Sequence, residues 1–169
     1  MTDKQRPHPP APDANGYPQL KLENQLCFPF YAASMLITRK YQPLLDELSI
    51  TYPQYLVLLI LWERGALTVG QISSSLLLNT NTITPLLKRM EKSGLLERKR
   101  SDADERQVLV SLSDKGTLLR ERAALIPYKL LERIDYPIEK AVSIMKEIKN
   151  IIDLLQSDST YNKSINPKK

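Results

Sequence analysis

The chain has 169 residues, 42% of them hydrophobic and 25% charged, and a formal net charge of +5. This is the composition of an ordinary globular domain with arms, and the positive balance favours an anionic partner without proving one. No apolar run approaches the ~18 residues of a membrane span, and one cysteine and one histidine, far apart in sequence, exclude an internal disulfide and any metal-ligand spacing.

Residues 1–18 are rich in proline and almost free of large apolar groups, which predicts a disordered or loosely docked arm and no secretory signal. A first helix is expected over much of residues 19–41, interrupted at Pro29. Pro43 should open a short second helix through Leu48, since proline is comfortable in a first turn. Thr51 reads as the cap of a third helix with Pro53 near its start. Its residues 55–62 are apolar on all sides, the mark of a buried central element. Thr68 caps a fourth helix, with Val69, Ile72 and Leu76 facing inward.

The next stretch, residues 80–116, is the most informative. Ile83, Leu86, Leu87 and Met90 fall at i, i+3, i+4 and i+7, so one stripe of a helix turns inward. Asn81, Thr84 and Lys88 lie on the opposite stripe. Gly94 supplies the left-handed residue that ends the helix. A strand to Arg100, a polar tip at 101–104 and a return strand at 107–112 follow, with Val108, Val110 and Leu112 on one face. Ser113 should cap the helix after it. Between Lys88 and Arg100 six basic residues stand against Glu91 and Glu97. Helix, glycine stop and charged two-stranded ribbon are the order of a winged helix-turn-helix, which implies duplex DNA as the partner. Thr80, Asn81, Thr82 and Thr84 are the candidates for base edges and nearby phosphates, and Lys88 and Arg89 for phosphates. Arg100 and Gln107 join them from the ribbon, while Lys92, Arg98 and Lys99 read as solvated surface.

A helix is then expected from about residue 114 to 134, with a kink at Pro127. Another should run from 137 to about 155, followed by a polar tail over 157–169. The last helix carries Ile138, Val142, Met145, Ile148, Ile152 and Leu155 on one side, widened by Ile144, Ile151 and Leu154. So broad a stripe covers either its own domain or a second copy. Two-fold dimers are usual for helix-turn-helix proteins that read palindromes, which favours dimerisation through the terminal helices.

Cys27 lies between Leu26 and Phe28, a setting that reads first as inert core. Pro29 opens a second reading. If a helix begins near Phe28, Cys27 sits at a helix N-terminus, where the dipole favours the reactive thiolate form of a cysteine. A kink at Pro29 is the competing explanation, and both stand.

Residues 22–28 (Leu-Glu-Asn-Gln-Leu-Cys-Phe), 41–45 (Tyr-Gln-Pro-Leu-Leu), 48–58 (Leu-Ser-Ile-Thr-Tyr-Pro-Gln-Tyr-Leu-Val-Leu), 84–91 (Thr-Pro-Leu-Leu-Lys-Arg-Met-Glu) and 104–108 (Asp-Glu-Arg-Gln-Val) together resemble the OhrR regulators of the MarR family. Those proteins repress transcription and sense organic hydroperoxides. The resemblance implies a mainly α fold with a small β-wing, in a dimer whose terminal helices form the interface. The MarR-like domain would cover 19–156, with the winged helix-turn-helix at about 51–113 and dimerisation helices at about 19–48 and 114–156. It also implies that Cys27 is the redox sensor, with its thiolate hydrogen-bonded by Tyr41 and Tyr52 of the other subunit and Tyr31 nearby. Arg106 matches the wing arginine that enters the minor groove, and Asp104 the carboxylate that positions it. With no second cysteine, the chain resembles the subclass in which the sulfenic acid is captured by a small cellular thiol or oxidised further. Pro29 departs from the family pattern. The reading that follows is a cytoplasmic, DNA-binding repressor without cofactor or enzymatic activity that releases its operator when Cys27 is oxidised. The alternative is a MarR-like repressor released by a small aromatic ligand, with Cys27 structural.

Overall fold

The computed structural model describes residues 16–101, 104–134 and 136–157. The expected arm up to residue 15 and the expected tail from residue 158 lie outside the described residues. The chain falls into two compact units, one ending at Arg39 and one beginning at Lys40.

In the first unit two short 3-10 turns, Pro18–Leu20 and Leu22–Asn24, precede helix α1 (Cys27–Asp46). Asn24 Nδ2 donates to the Pro18 carbonyl at 2.7 Å and Gln25 Nε2 to the Gln19 carbonyl at 2.6 Å, so side chains hold these turns. The helix expected from residue 19 is thereby corrected. Pro29 does not interrupt a helix; it occupies the first turn of one that starts at Cys27, where its missing N–H costs nothing. Pro43 gives the opposite correction. It opens no second helix but lies inside α1, where it removes one ladder bond. Leu44 and Leu45, directly after it, are 2% and 0% exposed, and their burial offsets that loss.

The second unit continues with α2 (Tyr52–Arg64), β1 (Leu67–Thr68), α3 (Val69–Ser75), α4 (Thr80–Lys92), β2 (Leu96–Arg100), β3 (Val108–Leu112), α5 (Asp114–Ala123), α6 (Ile126–Ile134) and α7 (Ile138–Ser157). Thr51 caps α2, with Gln54 Oε1 accepting from the Thr51 N–H at 2.8 Å. At α3 the box is reciprocal: Gln71 Oε1 accepts from the Thr68 N–H at 2.8 Å and Thr68 Oγ1 from the Gln71 N–H at 3.2 Å. Val57, Leu58 and Leu61 of α2, Ile72 of α3 and Ile83, Leu87 and Met90 of α4 are among the least exposed side chains and belong to one core. The sheet has the order β1-β3-β2, all antiparallel, with Leu67 opposite Val110 and Leu96 opposite Leu112. β1 has only two residues, too few for an alternating pattern to reveal it. The single helix expected over 114–134 is two: α5 ends at Ala123, and Pro127 takes the first turn of α6 instead of a kink.

Helices α1, α3 and α4 stop by one device. The Ile50, Leu78 and Leu95 amides each donate back to the carbonyl five residues earlier, at 3.1, 3.0 and 3.0 Å, and the residue before each is left-handed. At α4 that residue is Gly94 (φ 73°), as its composition demands. At the turn joining α3 to α4 it is Leu77 (φ 56°), whose Cβ is strained there. The buried Ser73 hydroxyl donates to the Leu78 carbonyl and holds this turn. Leu77 is 39% exposed, so little packing is lost when its side chain is removed. Leu77→Gly is expected to raise stability by about 0.5–1 kcal/mol, read as a higher urea midpoint with unchanged slope. A lower midpoint would mean that Leu77 packs more than it strains.

Candidate DNA-binding face and redox thiol

Asn79 caps α4: its Oδ1 accepts from the Thr82 N–H at 3.1 Å and from the Thr82 hydroxyl at 2.9 Å. The cap presents Thr80 and Asn81 to solvent at the helix start, while the Thr82 hydroxyl is engaged locally and Thr84 is half-buried. Lys88 and Arg89 are exposed one to two turns further on. The inward stripe is as expected, with Ile83, Leu86, Leu87 and Met90 all buried.

On the ribbon Arg100, Asp104, Arg106 and Gln107 are exposed. Asp104 accepts from the Arg106 backbone N–H and from Gln107 Nε2, both at 3.0 Å, so it orders the Arg106 main chain and not its guanidinium. Thr80, Arg106 and Gln107 line one groove of about 860 Å³ together with Gln71 and Arg64. Arg64 donates through Nη1 to Ser75 Oγ at 3.2 Å. The helix start and the wing turn thus border one open, polar face. Arg64 was absent from the residues expected at this face, since a cation closing an apolar helix reads from sequence only as a favourable helix end. Lys99 pairs with Glu97 at 3.2 Å in solvent, a contact of little energetic weight. Arg98 is not the solvated cation expected: its side chain is 16% exposed and pairs with Glu91 at 3.3 Å.

Cys27 is the first residue of α1 and is exposed, with Tyr31 exposed one turn after it on the same side. In the second unit Tyr41 and Tyr52 come together, with ring centroids 5.0 Å apart. Tyr55, 5.9 Å from Tyr41 and 6.4 Å from Trp62, completes the cluster. Burial, then the neighbouring Tyr52 and Tyr55, pushes the Tyr41 hydroxyl pKa up to about 12. Burial raises Tyr52, and burial with Tyr52 raises Tyr55. All three therefore remain protonated hydrogen-bond donors at neutral pH. Tyr55 is buried, as its all-apolar segment implies, at 2% exposure. Among the described residues no group of His, Cys, Asp and Glu could hold a metal ion, and no helix is long and apolar enough to cross a membrane.

A capped helix with a polar N-terminal face, a preceding helix joined by a tight turn, and a three-stranded wing define a winged helix-turn-helix DNA-binding regulator. Residues 39–122 match the family described as transcriptional regulator SarA/Rot. The chain belongs to the MarR-type winged-helix family that includes the organic hydroperoxide resistance regulators, and it is a transcription regulator, not an enzyme. It is 56% identical over 117 residues to the organic hydroperoxide resistance transcriptional regulator of Bacillus subtilis (strain 168), covering 69% of this chain and 80% of that one. Among solved structures it resembles reduced AbfR bound to DNA (TM-score 0.67, 36% identity, 83% of this chain and 98% of that one). It also resembles overoxidised AbfR bound to DNA (TM-score 0.66, 36% identity, 81% and 96%); AbfR comes from Staphylococcus epidermidis.

Proposed function

We propose that this chain is a dimeric repressor that holds a pseudo-palindromic operator while Cys27 is reduced and releases it when an organic hydroperoxide oxidises that sulfur. The observation that carries the reading is the position of the chain's one cysteine: exposed, at the first residue of a helix, in a chain 56% identical to an organic hydroperoxide resistance regulator. Thr80, Asn81, Thr82 and Thr84 face base edges and nearby phosphates, and Lys88, Arg89 and Arg100 the backbone. Arg106 enters the minor groove, its main chain ordered by Asp104, which Gln107 Nε2 holds in turn. Tyr41 and Tyr52 of one subunit donate to the Cys27 thiolate of the other, beside Tyr31.

The dimer follows from α7. None of its 20 residues is buried, although Ile138, Val142, Met145, Ile148 and Ile152 share one side. An apolar stripe of that length requires a cover, and a second copy supplies it symmetrically. The proposed division is a winged helix-turn-helix at about 51–113 between dimerisation segments at about 19–48, where α1 starts at Cys27, and 114–156.

In the chemistry, the thiolate attacks the peroxide's terminal oxygen and the O–O bond breaks. The sulfur becomes a sulfenic acid and the peroxide leaves as an alcohol. A small cellular thiol then displaces water to form a mixed disulfide. AbfR is found on DNA in its overoxidised form. The releasing species in this reading is therefore the bulky mixed disulfide, whose volume the packed dimer seam cannot hold. A DNA-binding protein with a reducible thiol belongs in the cytoplasm.

A gel shift on the chain's own upstream region tests this. Reduced protein should retard the duplex, cumene hydroperoxide with free cysteine should abolish the shift, and dithiothreitol should restore it. A shift indifferent to peroxide would leave a regulator without a redox sensor.

A further inference from the structure

Strand β2 alternates between the core and solvent. Leu96 points inward at 2% exposure, Glu97 and Lys99 are exposed, and Arg98 takes the next inward position, in register with fully buried Val110. The pattern of the strand asks for an aliphatic side chain there. The arginine found instead reaches across to the recognition helix, with Nη1 3.3 Å from Glu91 Oε2. Its Nε is buried without a hydrogen-bond partner. A guanidinium that is mostly desolvated and one acceptor short is a poor way to stabilise a small domain. The Lys99–Glu97 pair on the same strand, exposed at both ends, shows none of this confinement.

We propose that the Arg98–Glu91 pair is a positioning device: it fixes the angle between wing and recognition helix, so that Arg106 and the α4 N-terminus engage adjacent grooves of one duplex together. Arg98 is a positioning residue here and not a phosphate contact, because its head is turned inward onto Glu91. The inference rests on the DNA-binding reading above. It goes beyond it by giving a role to a residue pair that makes no contact with DNA.

The sign of the charge on Glu91 makes the test decisive. A carboxylate on a DNA-reading helix repels phosphate, so if Glu91 were only solvated surface, or a brake on a phosphate-binding Arg98, Glu91→Gln would tighten binding. If the pair sets the wing, Glu91→Gln weakens it. The expected result is a loss of about tenfold in operator affinity for Glu91→Gln and a similar loss for Arg98→Gln, with the double variant no worse than about either one alone. The slope of log affinity against log salt should stay at the wild-type value in each, since no phosphate contact is removed. A second readout separates wing geometry from general damage. On a duplex trimmed of the base pairs beneath the wing, wild type and Glu91→Gln should bind alike, and urea midpoints taken in parallel identify any variant that is merely unfolded. Tighter binding by Glu91→Gln, or a salt slope reduced by about one in Arg98→Gln, would overturn the proposal and make Arg98 a phosphate contact. If the unaltered protein binds no duplex from its own upstream region, the DNA-binding reading fails instead.

Discussion

A Gly116→Ala variant is expected to lose at least about 3 kcal/mol of stability and, with it, operator binding at physiological temperature. In an ordinary helix the same change is favourable by about 1 kcal/mol, so the sign itself is diagnostic. The reason lies in how α5 leaves the wing. Ser113 caps α5 by accepting from the Gly116 N–H at 3.1 Å while its hydroxyl donates to the Gly94 carbonyl at 2.6 Å. The Ser113 N–H donates to the Leu95 carbonyl at 3.3 Å, and the Trp62 indole donates to the Gly116 carbonyl at 3.0 Å. These bonds draw the first turn of α5 against the end of α4 and against α2. A Cβ on Gly116 would fall on the Leu95 carbonyl oxygen, with Leu112 Cδ2 at 3.3 Å behind it. Backbone cannot move aside as the end of a side chain can, so the cap, the indole bond or the wing root must break. Thermal and urea unfolding of the purified variant check this; a midpoint at or above wild type would show that the junction has slack. The same junction explains why Gly94 and Gly116 cannot be judged separately: one turns the chain at the wing root, and the other lets α5 close over it.

How far the sequence foretold this differs between the two ends of the chain. From Thr80 to Ser113 the signals agree everywhere but at Arg98, with an amphipathic stripe, a glycine stop, alternating strands and a cap. Each inward residue named there is buried or half-buried. Local propensity and tertiary packing point the same way in that stretch, which makes a pattern legible. Around the prolines they conflict. Pro43 reads as a helix opener, yet the burial of Leu44 and Leu45 carries α1 straight through it. Pro29 permitted two readings, and only the backbone shows that α1 begins at Cys27. Arg98 departs from a solvated cation for another reason. Charge at an inward strand position contradicts the pattern, and the pattern had no means of knowing that Glu91 stands opposite. Leu77 is hidden for a similar reason, since leucine announces no left-handed turn. Of the aromatic cluster, Tyr41 and Tyr52 came from family resemblance, whereas Tyr55 lay unmarked in an apolar run that offers no hint of its neighbours.

Cys27→Ser is expected to bind the operator within about twofold of wild type and to keep it in the presence of cumene hydroperoxide and free cysteine. Serine keeps the shape of the side chain but offers no sulfur to oxidise, so neither sulfenic acid nor mixed disulfide can form. Wild type should lose about a hundredfold in affinity under the same treatment, which corresponds to about 2.7 kcal/mol between the two states. In the proposed dimer one adduct at the seam suffices for that, since overpacking alone costs about 1–3 kcal/mol and loss of the proposed tyrosine bonds would add to it. Tyr52→Phe separates the donor network from the thiol. It should bind DNA normally and respond more slowly, and because the Tyr41 and Tyr52 hydroxyls are held above their ordinary pKa they add no titration of their own near neutral pH. Fluorescence anisotropy on labelled operator, followed over time after peroxide addition, reads both variants. The serious competitor is oxidation at methionine: Met35 and Met145 are 37% and 49% exposed, whereas Met90 is fully buried on the inner face of α4. If Cys27→Ser still releases DNA and a Met35→Leu, Met145→Leu variant does not, the switch lies in thioether oxidation and the thiol is a bystander.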